Sequence, residues 1–185
     1  MNRLFLSLPL ALVLAVAAAP AHSDVTDPAL PRQLEGDSPV RVLWDDPAGF
    51  SDLRHSGNRH EAARGDWVRE IARHIRERGE RDLPAGAQLE VTVHDIRRAG
   101  IYEPWHGPQM DRVRVIKDQY PPRIDLEFTL RGADGTVLAE GPRELRDMGF
   151  MNRAGAALGS DPLRYEKRLI DDWLRRELLP APAAD

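Results

Sequence analysis

The sequence contains no cysteine, and this absence excludes several kinds of chemistry at once. No disulfide can form, no thiol can act as a nucleophile, and no thiolate can bind a metal. A lipid-anchored lipoprotein is also excluded, because its anchor is attached to a cysteine. Any nucleophilic or metal chemistry would therefore have to use other side chains.

Recognisable catalytic and ligand-binding motifs are missing as well. No serine lies in a Gly-x-Ser-x-Gly motif, and the six histidines include no His-x-x-x-His pair. Residues 155–159 lack the Gly-Lys-Ser/Thr ending of a phosphate-binding loop. Glu70 and His74 lie one helical turn apart, which is more typical of an exposed polar pair than of two metal ligands. The sequence therefore predicts no catalytic residues, no metal site and no cofactor.

Only one run of apolar residues is long, and it lies near the N-terminus. A positive charge precedes the run from Leu4 to Ala19, and small residues around Ala21 fit the cleavage pattern of a signal peptidase. This pattern predicts a secretory signal peptide over residues 1–21, with Ser23 as a second candidate cleavage position. The competing interpretation is an uncleaved membrane anchor, for which the run is short. After cleavage we expect no membrane span.

A cleaved signal peptide without a lipid anchor predicts a periplasmic protein. Residues 22–39 are rich in proline and predict a flexible arm, residues 40–179 predict a single domain, and residues 180–185 predict a tail. The formal charge of −4 argues against nucleic acid as a partner. The sequence does not define an oligomeric state.

The spacing of apolar residues predicts the strands. From Ile124 to Leu130 apolar and polar residues alternate, so that one face of a strand is apolar. Asp134-Gly135 then reverses the chain toward Val137, as expected for a hairpin. Shorter alternating runs predict three more strands, over Val40–Trp44, Gln88–Ile96 and Arg112–Lys117.

Two segments have the period of amphipathic helices. The first runs roughly from Glu61 to Arg78, with Gly79 as its C-cap, and the second begins with Asp161 as N-cap and ends before Pro180. The predicted element order is β-α-β-β-β-β-α. We therefore expect an α+β two-layer sandwich, in which two helices cover one face of a mainly antiparallel sheet of about five strands.

An ordered set of short motifs extends from about Val40 to Trp173. The motifs are Leu83-Pro84-x-Gly86-x-x-Leu89, Asp95-Ile96, Ala99-Gly100, Glu103-Pro104-Trp105, Tyr120-Pro121-Pro122-Arg123-Ile124, Leu145-x-Asp147, and Tyr165-Glu166-Lys167 followed by Trp173. This set resembles a secreted family of Gram-negative bacteria, domain of unknown function 3016. The pair Arg97-Arg98 departs from the family, which more often has an acidic and then an apolar residue there. The resemblance implies an exported bacterial protein and no particular activity.

The long loop from Arg97 to Asp111 is the strongest candidate for a functional site. It displays aromatic side chains with arginines on either side, a composition typical of recognition surfaces. The candidate binding residues are Tyr102, Trp105, His106, Arg112, Arg114, Asp118 and Tyr120. The competing interpretation is that Trp105 covers the sheet and that the arginines are merely solvated.

Three functional hypotheses follow from these residues. The leading one is a non-catalytic binding or accessory module of the cell envelope, with a protein or glycan partner. The first alternative is a hydrolase that uses Asp95 or Asp118 with His94 or His106. Asp95 has the parity of the apolar face of its strand, and capping of loop amides is favoured over catalysis for it. The second alternative is a structural subunit of an envelope assembly, which would expose a sheet edge or an apolar patch.

Overall fold

A computed structural model of the protein describes residues 24–152 and 160–178. The predicted signal peptide and the predicted tail lie outside these ranges. In chain order the helices and strands are β1 (Val40–Trp44), α1 (Ser51–Arg54), α2 (Arg59–Ala63), α3 (Trp67–Asp82), β2 (Gln88–Arg97), β3 (Ile101–Tyr102), β4 (Arg114–Val115), β5 (Arg123–Arg131), β6 (Val137–Arg146) and α4 (Arg164–Leu178). Short 3-10 turns cover Pro47–Gly49 and Pro104–His106.

The main sheet contains four strands within the described ranges, in the order β1-β2-β5-β6. The α+β class predicted from the sequence is confirmed. The predicted sheet needs correction, because β1 and β2 run parallel while the pairs β2–β5 and β5–β6 run antiparallel. A parallel pair requires a crossover connection, and here the chain between the two strands supplies α3.

The strand predicted over Arg112–Lys117 does not join the main sheet. Only Arg114–Val115 is extended there, and it pairs with Ile101–Tyr102 as a separate two-stranded ribbon. Pro121 and Pro122 separate this segment from β5 and lack the N–H groups that would continue a strand. The predicted count of about five strands is therefore wrong, because the chain forms a sheet of four strands and a ribbon of two across the described residues.

The predicted hairpin is confirmed as β5 and β6, which pair antiparallel around the turn at Asp134-Gly135. The Asp134 carboxylate accepts hydrogen bonds from the Thr136 amide at 3.0 Å and from the Thr136 hydroxyl at 2.7 Å. Gly135 has a φ of +82°, a conformation that residues with a Cβ rarely adopt. The turn is therefore formed by Asp134 and Gly135, the two residues from which it is predicted.

The first predicted helix is divided in two. Gly65, with a φ of +90°, separates α2 from α3, so that the long helix begins at Trp67 rather than near Glu61. Gly79 is not a cap but lies inside α3, where a Cβ would come within 3.2 Å of the Val40 side chain. The last helix begins at Arg164, three residues after Asp161, the predicted N-cap; the Asp161 carboxylate accepts a hydrogen bond from the Leu163 amide at 2.8 Å in the turn before the helix.

The core lies between α3, α4 and one face of the sheet. Phe128 of β5 and Trp173 of α4 are buried against each other, edge to face, with ring centroids 5.6 Å apart. Ile71 and Ile75 of α3 are buried in the same cluster. None of the helices in the described ranges has both the length and the apolar character needed to cross a membrane.

Residues 24–39, the described part of the predicted arm, lie along the domain rather than extending from it. Val25 is buried, and its amide donates a hydrogen bond to the carbonyl of Ala63 at 2.9 Å. The Leu34 amide donates to the carbonyl of Val42 at 3.0 Å, so this segment covers the outer edge of β1.

Candidate functional site

The predicted functional loop is folded back on itself by the β3–β4 ribbon. Tyr102 pairs with Arg114, and the loop re-enters the domain at Gly100, whose amide donates to the carbonyl of Tyr120 at 2.9 Å. Gly100 has a φ of +77°, and a Cβ there would come within 2.5 Å of the Val115 carbonyl oxygen. A glycine is required at this position, since any other residue would push the ribbon away from the loop.

Arg114 of the ribbon belongs to a group of three charged side chains, Asp52, Arg98 and Arg114, which we call the Asp52 cluster. Asp52 is buried, and the two arginine side chains are largely buried around it. The Asp52 carboxylate accepts from Arg98 Nη2 at 2.7 Å and from Arg114 Nη2 at 2.6 Å. Burial alone would raise the pKa of Asp52, but the charges and hydrogen bonds of the two arginines outweigh it and hold the pKa below its usual value.

The Asp52 cluster joins three separate segments of the chain and is covered by aromatic rings. Asp52 lies in α1, Arg98 directly follows β2, and Arg114 lies in β4. The Arg98 guanidinium lies 4.1 Å from the centre of the Trp67 ring, and the Arg114 guanidinium lies 5.1 Å from that of Tyr102. These contacts fix the loop on the domain, although Arg114 Nε is buried without a hydrogen-bond partner among the described residues.

A second group, which we call the Glu103 cluster, contains Glu103, Lys117, Tyr120 and His106. Only 2% of the Glu103 surface is exposed, and its carboxylate accepts from Lys117 Nζ at 2.7 Å and from the Tyr120 hydroxyl at 2.9 Å. His106 Nε2 lies 3.1 Å from the same carboxylate. The hydrogen bond from Lys117 lowers the pKa of Glu103, burial opposes this effect, and the Tyr120 hydrogen bond adds to the lowering.

Residues Pro104–His106, which we call the Trp105 turn, follow Glu103 directly. Trp105 is 64% exposed, although the turn that carries it is closely supported from below. A Cβ on Gly57 would come within 2.7 Å of Pro104 Cδ, so the turn packs directly on the backbone of that glycine. A large aromatic side chain is therefore displayed to solvent on a well-supported turn.

The structure divides the predicted binding residues into two groups. Tyr102 and Arg114 face the interior, where Tyr102 donates its hydroxyl proton to the carbonyl of Glu61 at 3.2 Å. Tyr120 is half-buried in the Glu103 cluster. The exposed residues of the predicted set are Trp105, His106, Arg112 and Asp118. A binding role for these exposed residues stays a prediction.

Asp95 has a capping role. Its carboxylate accepts hydrogen bonds from both the amide and the hydroxyl of Ser51, each at 2.5 Å, as the capping interpretation predicts. Its predicted place on the apolar face is wrong, because the pairing of β2 with β5 shifts register between Val93 and Asp95. This bulge turns Ile96 rather than Asp95 toward the core, and Ile96 is fully buried.

The catalytic pairs of the hydrolase hypothesis are not assembled. In the part of the chain that the structure describes, neither Asp95 nor Asp118 makes a hydrogen bond or ion pair with His94 or His106. His94 instead lies 3.0 Å from Asp45 on an exposed surface. Across the same residues, no three His, Asp or Glu side chains converge in a way that could hold a metal ion.

Glu166 of α4 was not singled out from the sequence except as part of a family motif. It is buried, and its Oε1 accepts a hydrogen bond from the Ala99 amide at 2.6 Å. Its Oε2 is buried without a hydrogen-bond partner among the described residues. Burial raises the pKa of Glu166, and the hydrogen bond from Ala99 opposes this effect only in part.

Glu166→Gln is expected to change how stability depends on pH. Burial raises the pKa of Glu166 in the folded state. The neutral carboxyl group therefore makes its full contribution to stability at pH values below the unfolded pKa, and this contribution is lost as the pH rises through the folded pKa. At about pH 8 the glutamine variant should be more stable than the wild type by about 1 kcal/mol or more, because glutamine stays neutral at this buried position whereas ionisation of the carboxyl group is opposed by burial. Near pH 4 this difference should disappear. Urea unfolding across this range measures it.

A matched control for this experiment is Glu140→Gln on the exposed side of β6. The control should behave like the wild type at every pH, because an exposed carboxylate has nearly the same environment in the folded and unfolded states. If Glu166→Gln and the wild type were equally stable at about pH 8, the proposed cost of ionising Glu166 would be wrong.

The fold and these clusters define a small α+β protein whose loops are fixed by buried charges. Residues 38–176 match the family described as "Protein of unknown function (DUF3016)", and the chain belongs to that family. The resemblance carried by the short motifs is thereby confirmed. No curated protein and no solved structure matches the chain. The family description names no activity.

Proposed function

We propose that the protein is a non-catalytic binding module of the cell envelope and that the Trp105 turn is its recognition element. The observation that carries this proposal is that the Trp105 side chain is 64% exposed. The turn that displays it directly follows Glu103, which is only 2% exposed. Tryptophan is enriched among the few residues that dominate binding energy at protein interfaces. The export of the protein to the periplasm rests on the apolar run at its N-terminus.

The support of the turn favours this role over a chance exposure of an apolar residue. The Glu103 carboxylate holds Lys117, Tyr120 and His106 around the base of the turn. A partner that packs on Trp105 would therefore meet a side chain whose backbone is already in place. Binding to a preorganised surface avoids part of the entropic cost of ordering a loop.

The surroundings of Trp105 favour a protein as the partner, with a glycan as the other outcome of the test. His106 beside it and Arg112 further along the loop are both exposed. An apolar aromatic centre with a polar and charged rim is the usual anatomy of a protein–protein interface. The partner we propose is therefore an envelope protein that packs an apolar group on the Trp105 ring.

Trp105→Ala is expected to remove this interaction. In a pull-down from an envelope extract, the wild type should retain a partner that the alanine variant loses. With the isolated partner, the dissociation constant should rise by about 30-fold, since a central aromatic residue contributes about 2 kcal/mol or more. Stability should be unchanged, because an exposed side chain makes few contacts within the fold.

The matched control is Leu138→Ala, which shortens another exposed apolar side chain, on β6. This variant should retain the partner with the affinity of the wild type. If the wild type and Trp105→Ala retained the same proteins, or if neither retained any, the Trp105 turn would not be a recognition element. Digestion of the extract with a protease before the pull-down distinguishes a protein from a glycan.

The structural-subunit alternative receives weaker support. β6 lies at one end of the sheet in the described ranges and exposes Val137 and Leu138. However, β6 also contains Pro142, which cannot donate a hydrogen bond, and charged side chains at Glu140 and Glu144. Proline and charges on an edge strand are features that oppose pairing with another chain. The hydrolase alternative has no assembled site to support it among residues 24–152 and 160–178.

A further inference from the structure

The Trp105 turn lies against the chain that connects α1 and α2. A Cβ on Gly57 would come within 2.7 Å of Pro104 Cδ, at the base of the turn. The side-chain amide of Asn58 donates a hydrogen bond to the carbonyl of Asp111 at 2.8 Å, further along the same loop. Residues 51–64 and 97–118 therefore build one region of the molecule, which we call the loop face.

The loop face is basic, although the chain as a whole is acidic. It contains eight basic and five acidic residues, in a chain with a formal charge of −4. Three of its five acids have side chains that are at most 11% exposed, namely Asp52, Glu61 and Glu103. Arg112, which pairs with Glu61, is by contrast 81% exposed. Most of the negative charge is therefore withdrawn from solvent, and the charge that a partner meets is mainly positive.

Two arginines of the loop face are available to an external partner. Arg54 and Arg59 are exposed, and their side chains make no hydrogen bond or ion pair within residues 24–152 and 160–178. Arginine carries five N–H donors in a planar arrangement that matches a carboxylate. These two side chains can therefore bind carboxylates without breaking any contact within the described part of the fold.

Arg54 and Arg59 lie within three positions of Gly57, on which the Trp105 turn packs. We propose that the loop face is a docking surface for an acidic segment of the protein partner, which places an apolar side chain on the Trp105 ring and carboxylates on the arginines beside it. This inference rests on the proposed function for the role of Trp105 and adds the chemical class of the partner. Complementary charge guides the approach of such a partner and disfavours basic proteins.

The charge pattern of the loop face favours an acidic protein segment over an anionic membrane surface. Membranes are bound by uninterrupted clusters of about four to eight lysines and arginines. On the loop face the cations are interspersed with Asp111 and Asp118, and the chain as a whole is acidic. A peptide can place its carboxylates at individual arginines and avoid these two acids, whereas a membrane surface cannot.

The first experiment uses a fluorescently labelled synthetic peptide in which glutamates flank a central leucine. By fluorescence anisotropy, the wild type should bind this peptide more tightly than the same peptide with lysine in place of glutamate. The double variant Arg54→Glu/Arg59→Glu should weaken binding of the glutamate peptide by about tenfold or more, because two attractive charges become repulsive. Added salt should weaken binding to the wild type and have a smaller effect on the double variant.

Arg73→Glu/Arg81→Glu on α3 is the matched control, because it changes the charge of the chain by the same amount at two other exposed arginines. It should bind the glutamate peptide as the wild type does. An equal loss in the two double variants would overturn the docking surface, since only the net charge would then matter. Equal binding of the glutamate and lysine peptides would overturn it as well. Tighter binding of vesicles that contain phosphatidylglycerol than of the glutamate peptide would overturn the assignment to a protein segment.

The second experiment separates this inference from the proposed function. With the isolated partner of the Trp105 turn, Arg54→Glu/Arg59→Glu should raise the dissociation constant by about tenfold, chiefly through slower association. A partner that binds this variant and the wild type equally would overturn the acidic segment and leave the Trp105 turn intact. Binding of the glutamate peptide that this variant weakens but Trp105→Ala leaves unchanged would support the basic surface and count against the proposed function.

Discussion

Asp52→Asn is expected to lower the free energy of unfolding by about 3–5 kcal/mol at neutral pH, because it breaks a buried ion cluster on one side only. The carboxylate lies within 2.7 Å of a nitrogen of both Arg98 and Arg114. An asparagine can accept a hydrogen bond there, but it cannot balance two buried guanidinium charges. Urea unfolding followed by tryptophan fluorescence measures the loss.

The pH dependence of this variant follows from the low pKa of Asp52. A carboxyl group with a lowered folded pKa contributes stability above the unfolded pKa, and this contribution is lost as the pH falls through the folded pKa. The difference between Asp52→Asn and the wild type should therefore shrink in strong acid. A difference that stays constant down to the acid transition would show that the charge of Asp52 is not the cause.

The matched control is Glu90→Gln, which breaks the ion pair between Arg41 and Glu90. That pair has the same distance of 2.7 Å as the pair between Arg98 and Asp52. Its side chains are 63% and 50% exposed, compared with 12% and 2% for the buried pair. The control should lose at most about 1 kcal/mol, because water already solvates both charges. Equal losses in the two variants would show that burial does not determine the effect.

The parts of the fold that the sequence predicts are those with local causes. The β5–β6 hairpin follows from the alternation between Ile124 and Leu130 and from the turn at Asp134-Gly135, all within a short stretch. The break at Gly65 is also local, but the helical spacing of apolar residues continues across it. Only the backbone conformation at Gly65, with its φ of +90°, shows that the helix cannot pass through it.

The parts that the sequence does not predict depend on residues far apart in the chain. Asp52 and Arg114 are 62 positions apart, and nothing near either residue indicates the partner. The sequence therefore predicts Arg114 as a binding residue, whereas the structure places it in internal contacts with Asp52 and the Gly100 carbonyl. For Trp105 the sequence leaves two interpretations open, display to solvent and covering of the sheet, and its exposure of 64% rules out the second.

Trp173→Ala is the other variant for which we expect a loss of about 3–5 kcal/mol in the free energy of unfolding. Trp173 is fully buried, and it is the residue through which α4 packs on Phe128 in the middle of the sheet. The alanine would leave a cavity that the rigid strand below it cannot fill. The loss is best measured by circular dichroism during urea unfolding, because the substitution removes one of the fluorescent reporters.

Trp173→Phe separates the packing of this residue from its polar atom. The indole Nε1 of Trp173 is buried without a hydrogen-bond partner in the described ranges, and such a group costs about 1–3 kcal/mol. Phenylalanine keeps an aromatic ring against Phe128 and removes this donor, so the two effects should offset each other. We expect a loss below about 1.5 kcal/mol for Trp173→Phe. Equal losses of unfolding free energy in Trp173→Ala and Trp173→Phe would contradict this expectation. They would indicate that the indole donor has a hydrogen-bond partner and that this bond, rather than packing, is what Trp173 contributes to stability.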